Sequence, residues 1–113
     1  MDLYEELMAK IKQLESSVKQ LRALGTSYAA EEKDYKVLLR QEVLKMRDAG
    51  MAVGVIELTC YGIPSVAEAR FKRDTALTVY EACKEAIQSL KLQIRIIESQ
   101  IQREYGIAGK GDI

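Results

Sequence analysis

Apolar residues recur at alternating spacings of four and three along two long stretches of the chain, and this repeat predicts two helices that pack seam against seam. In the first stretch the repeat runs Leu3, Leu7, Ile11, Leu14, Val18 and Leu21. Counting on in the same steps lands on Gly25, Tyr28, Glu32, Tyr35, Leu39, Glu42, Met46 and Ala49. The phase therefore survives Leu24-Gly25-Thr26-Ser27, which by composition reads as a turn. A turn has no reason to preserve a heptad, and an interior glycine costs only about 1 kcal/mol relative to alanine. The pattern predicts one helix over residues 2–49 with Asp2 as its N-cap; a three-helix bundle is the alternative if Gly25 breaks the chain. The second seam is Ala76, Tyr80, Cys83, Ile87, Leu90, Ile94, Ile97 and Ile101. It lies in a helix predicted over 64–105, opened by Pro64 in its first turn and closed by Gly106, with 106–113 as a flexible tail.

Between the helices the pattern changes. Asp48-Ala49-Gly50 has the composition of a helix C-terminus and Tyr61-Gly62-Ile63-Pro64 that of a second break, so 50–63 reads as the tip of a hairpin. Within it Met51, Val53, Val55, Ile56, Leu58 and Tyr61 make a short apolar piece, predicted as a helix of about two turns although its β-branched residues also suit an extended segment. A hairpin closing at this tip sets Leu39 against Ala76, Tyr35 against Tyr80, Tyr28 against Ile87 and Leu21 against Ile94. The same register puts Gly25 opposite Leu90 and pairs the two charged intruders in the seam, Glu42 and Arg73. The expected architecture is thus an all-α, coiled-coil-like antiparallel helical hairpin, forming a single domain over 1–105. Leu24, Val37, Leu38, Val43 and Leu44 on the first helix and Val79, Leu92 and Ile96 on the second lie outside the seams, and this surplus predicts assembly into a homo-oligomeric helical bundle, a dimer or higher.

Composition narrows the function. The 113 residues carry 17 basic and 17 acidic side chains, so no net field draws the whole molecule to nucleic acid or an acidic membrane. No signal peptide is legible in Met1 to Leu7, and no apolar run reaches the roughly 18 residues a bilayer demands, so a cytoplasmic location and no membrane partner are expected. Cys60 and Cys83 lack metal or redox spacing, histidine is absent, and Gly50, Gly54 and Gly62 match no phosphate-binding loop. The expectation is a non-enzyme with no metal and no cofactor.

The stretches Asp34-Tyr35-Lys36, Leu44 to Gly54, Leu58 to Pro64, Arg70-Phe71-Lys72-Arg73-Asp74, Tyr80-Glu81-Ala82 and Leu90-Lys91-Leu92-Gln93-Ile94-Arg95 carry a resemblance. Through them nearly the whole chain resembles small, mostly uncharacterised helical proteins encoded by phages and prophages of Gram-positive bacteria. The resemblance implies action inside a host cell on a host or phage component, and it brings no catalytic or binding residue with it.

Three readings of function follow from the residues. The first is a non-catalytic inhibitor or adaptor that binds a host or phage protein through a helix face or through the tip residues Met51, Val53, Val55, Ile56 and Tyr61. The second is a nucleic-acid binder, since Met51 to Lys72 has the rhythm of a helix-turn-helix with Arg70 and Lys72 behind its second helix; against it, Val66, Ala67 and Ala69 leave only Ser65 and Glu68 to read bases. The third is a nucleotide-like ligand at a subunit interface, gripped by Tyr28, Tyr35 and Tyr80 with Lys36, Arg40 and Lys84.

Overall fold

A computed structural model of the protein describes residues 2–111, with side chains over 2–106. Among the described residues the structure is helical with no strand: α1 (Leu3–Asp48), α2 (Val53–Thr59), a 3-10 turn (Cys60–Gly62) and α3 (Pro64–Gly111). The chain is an all-α helical hairpin whose residues group into two compact units, the described parts of Met1–Arg22 and Ala82–Ile113 in one and Ala23–Glu81 in the other. In each unit a segment of α1 pairs with an antiparallel segment of α3.

The helix ends follow from local chemistry. Asp2 caps α1, its carboxylate accepting the Glu5 N–H at 2.7 Å and its carbonyl the Glu6 N–H at 3.0 Å. At the other end Gly50 adopts φ +82°, its N–H bonds the Arg47 carbonyl and the Met51 N–H bonds the Met46 carbonyl. This left-handed C-terminal motif satisfies two carbonyls that the last turn leaves free. Pro64 opens α3 where its missing N–H costs nothing, and the Ala67 N–H closes the first turn on the Ile63 carbonyl at 2.9 Å. The expected tail does not begin at Gly106: α3 continues to Gly111, because a helical glycine is a modest penalty and no terminating cap follows Tyr105. The last two residues of that tail, 112 and 113, lie outside the described residues.

The heptad reading holds. α1 runs 46 residues without interruption, so Gly25 is interior to a helix and the three-helix alternative is excluded. In the unit that holds both termini Ile87, Leu90, Ile94 and Ile97 are buried, with Leu7, Ile11, Leu14, Val18 and Leu21 half-buried along α1, and the Cys83 thiol lies 3.6 Å from the Ser17 carbonyl. In the other unit Tyr35, Ile56, Cys60 and Val66 are buried. Each aliphatic side chain so removed from water contributes about 1.5–3 kcal/mol.

The expected register does not hold. Tyr28 stacks on Tyr80, with ring centroids 6.2 Å apart and planes 14° from parallel, where Ile87 had been expected. Tyr35 packs under Arg73, whose guanidinium carbon is 4.5 Å from the ring centroid, where Tyr80 had been expected. Both partners lie seven residues earlier in α3, a slip of one heptad that keeps seam facing seam. Gly25 meets Tyr80 instead of Leu90; a Cβ there would come within 3.2 Å of the Tyr80 ring, so the missing side chain makes room for the tyrosine stack. Arg73 pairs with Glu32 at 3.7 Å and with Asp74 at 2.8 Å, while Glu42 turns to Lys45 at 3.1 Å.

The tip explains the slip. The Thr59 hydroxyl donates to the Val55 carbonyl at 2.7 Å and lies 4.0 Å from the Met46 sulfur, so α2 runs back alongside the end of α1 instead of capping it. The chain reverses between Asp48 and Val53, and α2 with the 3-10 turn forms the start of the return arm. Counting 50–63 as a cap placed outside the pairing displaces the part of α3 within Ala23–Glu81 by one heptad.

Candidate interaction surface

Two turns of helix cannot bury two faces, and α2 buries one. Ile56 and Cys60, four residues apart, point inward and are each 4% exposed, while Val53, Val55, Leu58 and Tyr61 remain exposed, Leu58 at 86%. Met51, on the reversal, is exposed as well. Of the five tip residues singled out by sequence, Met51, Val53, Val55 and Tyr61 therefore lie on the surface and Ile56 belongs to the core. Leu58, the most exposed of the tip residues, is not among those five; its outward direction follows from the helical phase that the burial of Ile56 and Cys60 sets.

One side of the tip is a groove of about 610 Å³ between α1 and the return arm, lined by Leu39, Val43 and Arg47 on α1 and by Val53, Ile56, Glu57, Cys60 and Tyr61 opposite. It adjoins a second depression on the α1 surface that shares Leu39, Val43 and Arg47 and adds Lys36, Arg40 and Leu44. The result is an aliphatic floor with cationic edges.

The residues of the other two readings are placed differently. Arg70 sits over the Tyr61 ring at 5.4 Å, Arg73 is committed to Glu32, Asp74 and Tyr35, and Lys72 is exposed. Of the three tyrosines Tyr28 and Tyr80 are brought together, stacked on each other in the seam, while Tyr35 lies one heptad along α1 under Arg73. Lys36 pairs with Glu32 at 3.4 Å, Arg40 lines the depression on α1 beside the groove, and Lys84 belongs to the other compact unit. Among the described residues no group of three or more acidic or cysteine side chains is placed to hold a metal ion, and no helix is long and apolar enough to cross a membrane.

Glu32 is the hub of the polar layer. The Tyr28 hydroxyl donates to its carboxylate at 2.9 Å, and this bond, with Lys36 and Arg73 nearby, holds Glu32 below its ordinary value despite some desolvation. The same bond pushes Tyr28 up, aided by burial and the glutamate charge. A depressed carboxylate contributes stability that is present above its unfolded value and is lost as pH falls through the folded one. A raised phenol contributes stability that is present below its unfolded value and is lost as pH rises through the folded one. The urea midpoint should therefore be flat from about pH 6 to pH 9 and decline on either side. Glu32→Gln should shallow both declines, and an unchanged acid limb in that variant would show that the layer is unlinked to folding.

Compared with protein-family models, with curated proteins and with solved structures, the chain finds no match in any of the three.

Proposed function

We propose that the protein is a non-catalytic interaction protein, an inhibitor or adaptor that engages a protein partner through its tip. The observation supporting this reading is the density of exposed apolar side chains at one end of the Ala23–Glu81 unit, where Val53, Val55, Leu58 and Tyr61 all face solvent around a helix of seven residues. Closing a helical hairpin takes a few polar residues. Exposed aliphatic and aromatic groups clustered on a small element are what a desolvated protein contact uses. The partner is a host or phage protein in the cytoplasm, in keeping with the resemblance to phage-encoded proteins.

The test is affinity capture by the full-length chain from a Gram-positive host, comparing the wild type with the double variant Val55→Asp/Leu58→Asp. Both positions lie outside the core, so helicity by circular dichroism should be unchanged while a stoichiometric partner is lost by at least tenfold. Retention of the partner by the variant would refute a tip-mediated contact. Self-association is part of the same proposal, supported by the exposure of Val37 and Leu44 on α1 and Val79, Leu92 and Ile96 on α3; a monomer mass by light scattering at micromolar concentration would remove it.

A further inference from the structure

We infer that the groove between α1 and the return arm, together with the adjoining depression on α1, receives an acidic amphipathic helix of the partner, with carboxylates one heptad apart on either side of an aliphatic stripe. The inference rests on the tip reading and adds the partner's chemistry to it.

The floor decides the occupant's backbone. Leu39, Val43 and Val53 offer no hydrogen-bonding side chain, and the polar lining groups, Lys36, Arg40, Arg47, Glu57 and the Tyr61 hydroxyl, stand beside them. An extended peptide laid on such a floor leaves N–H and carbonyl groups desolvated and unpaired, whereas a helix satisfies its own backbone and presents only side chains. A helix also fits the space beside two packed helices, where interaxial distances of about 8–10 Å bring aliphatic ridges into contact.

The edges decide its charge. The groove itself sets Arg47 against the acid Glu57, and the adjoining depression on α1 adds the cations Lys36 and Arg40 and no acid. Lys36 is partly neutralised by Glu32 at 3.4 Å, but Arg40 and Arg47 make no side-chain hydrogen bond or ion pair with any described residue. They are seven residues apart on α1, about 10 Å along the axis at about 1.5 Å per residue. Two carboxylates at the same heptad spacing on a docked helix meet both guanidiniums while the residues between them cover Leu39, Val43 and Leu44. A nucleic acid fits less well, because its phosphates would be carried over the aliphatic floor.

The experiment uses the full chain and two fluorescent three-heptad helical peptides with the same leucine stripe, one bearing glutamates and the other lysines at two flanking positions one heptad apart. The glutamate peptide should bind at least tenfold more tightly than the lysine peptide. In Arg40→Glu/Arg47→Glu, with helicity and light-scattering mass unchanged, that preference should reverse. Equal affinity for both peptides, no binding of the glutamate peptide, or a preference unmoved by the double reversal overturns the proposal. So does a fall of the variant to a smaller mass, which would make a second copy of this chain the occupant, or Arg40- and Arg47-dependent binding of duplex DNA without binding of the peptide. Partner capture separates this failure from that of the tip reading. If Val55→Asp/Leu58→Asp loses the partner while Arg40→Glu/Arg47→Glu retains it, the tip stands and the groove falls; if both retain it, both fall.

Discussion

Ile56→Asp should release α2 from the hairpin, while Leu58→Asp, two residues away on the same helix, should leave the fold untouched. Ile56 is 4% exposed and faces the interior with Cys60, so a carboxylate there is desolvated with no partner. The direct cost is about 3 kcal/mol or more, the range of buried unpaired charge. A helix of seven residues has a less costly escape than global unfolding, however: it can detach, and the price is then capped at the free energy of opening the tip. The expected result is loss of amide-exchange protection over α2 and the 3-10 turn, with protection kept in the long helices, whereas Leu58→Asp keeps the wild-type pattern. Global melting in Ile56→Asp would show that the tip and the long helices form one cooperative unit. Equal protection in both variants would show that the inward phase of α2 is wrong.

The long helices were legible because their information is periodic and redundant. Each heptad position repeats the same instruction, so Gly25 could fall on a seam position without disturbing the reading, and Asp2, Gly50 and Pro64 mark boundaries through local backbone chemistry that sequence carries directly. Register is another kind of information. A seven-residue slip leaves every seam residue on the seam, so periodicity cannot distinguish the two pairings, and only the count of residues consumed by the reversal does. That count depends on whether α2 lies beyond the end of α1 or beside it, a tertiary fact set by the contacts of Ile56 and Cys60.

The Glu42–Arg73 pairing in the expected register is a coincidence, available because the first helix has several acids near the same face. Arg73 instead pairs with Glu32 at 3.7 Å and covers the Tyr35 ring at 4.5 Å. The tip residues divide along the same line. An apolar composition identified the segment, but which of Val53, Val55, Ile56 and Leu58 faces outward depends on helical phase, which a run this short does not reveal. The cations beside the groove were the least visible part, since Arg47 at its edge and Arg40 in the adjoining depression acquire their meaning only once Val53 and Tyr61 fold back to face Leu39 and Val43.

The pairing of Arg73 can be read by charge exchange. Arg73→Glu removes the cation that covers Tyr35 and places a second carboxylate beside Glu32, both at side chains less than a quarter exposed. Two like charges across a half-buried seam repel, and the variant should melt about 5–10 °C below the wild type. Adding Glu32→Arg restores opposite charges across the same pair of helices, so the double variant should recover a large part of that loss; the Tyr28 hydrogen bond to Glu32 and the Asp74 pairing are sacrificed, which keeps recovery incomplete. Glu42→Arg combined with Arg73→Glu is the discriminating control. In the register first expected from the sequence it would be the compensating exchange, whereas in the observed one Glu42 contacts Lys45 and the substitution only adds a charge near the end of α1. Recovery by Glu32→Arg and none by Glu42→Arg is the expected outcome. The opposite result would move α3 one heptad along α1, pull α2 off the flank of α1, and with it dissolve the groove that Arg47 edges and Arg40 adjoins.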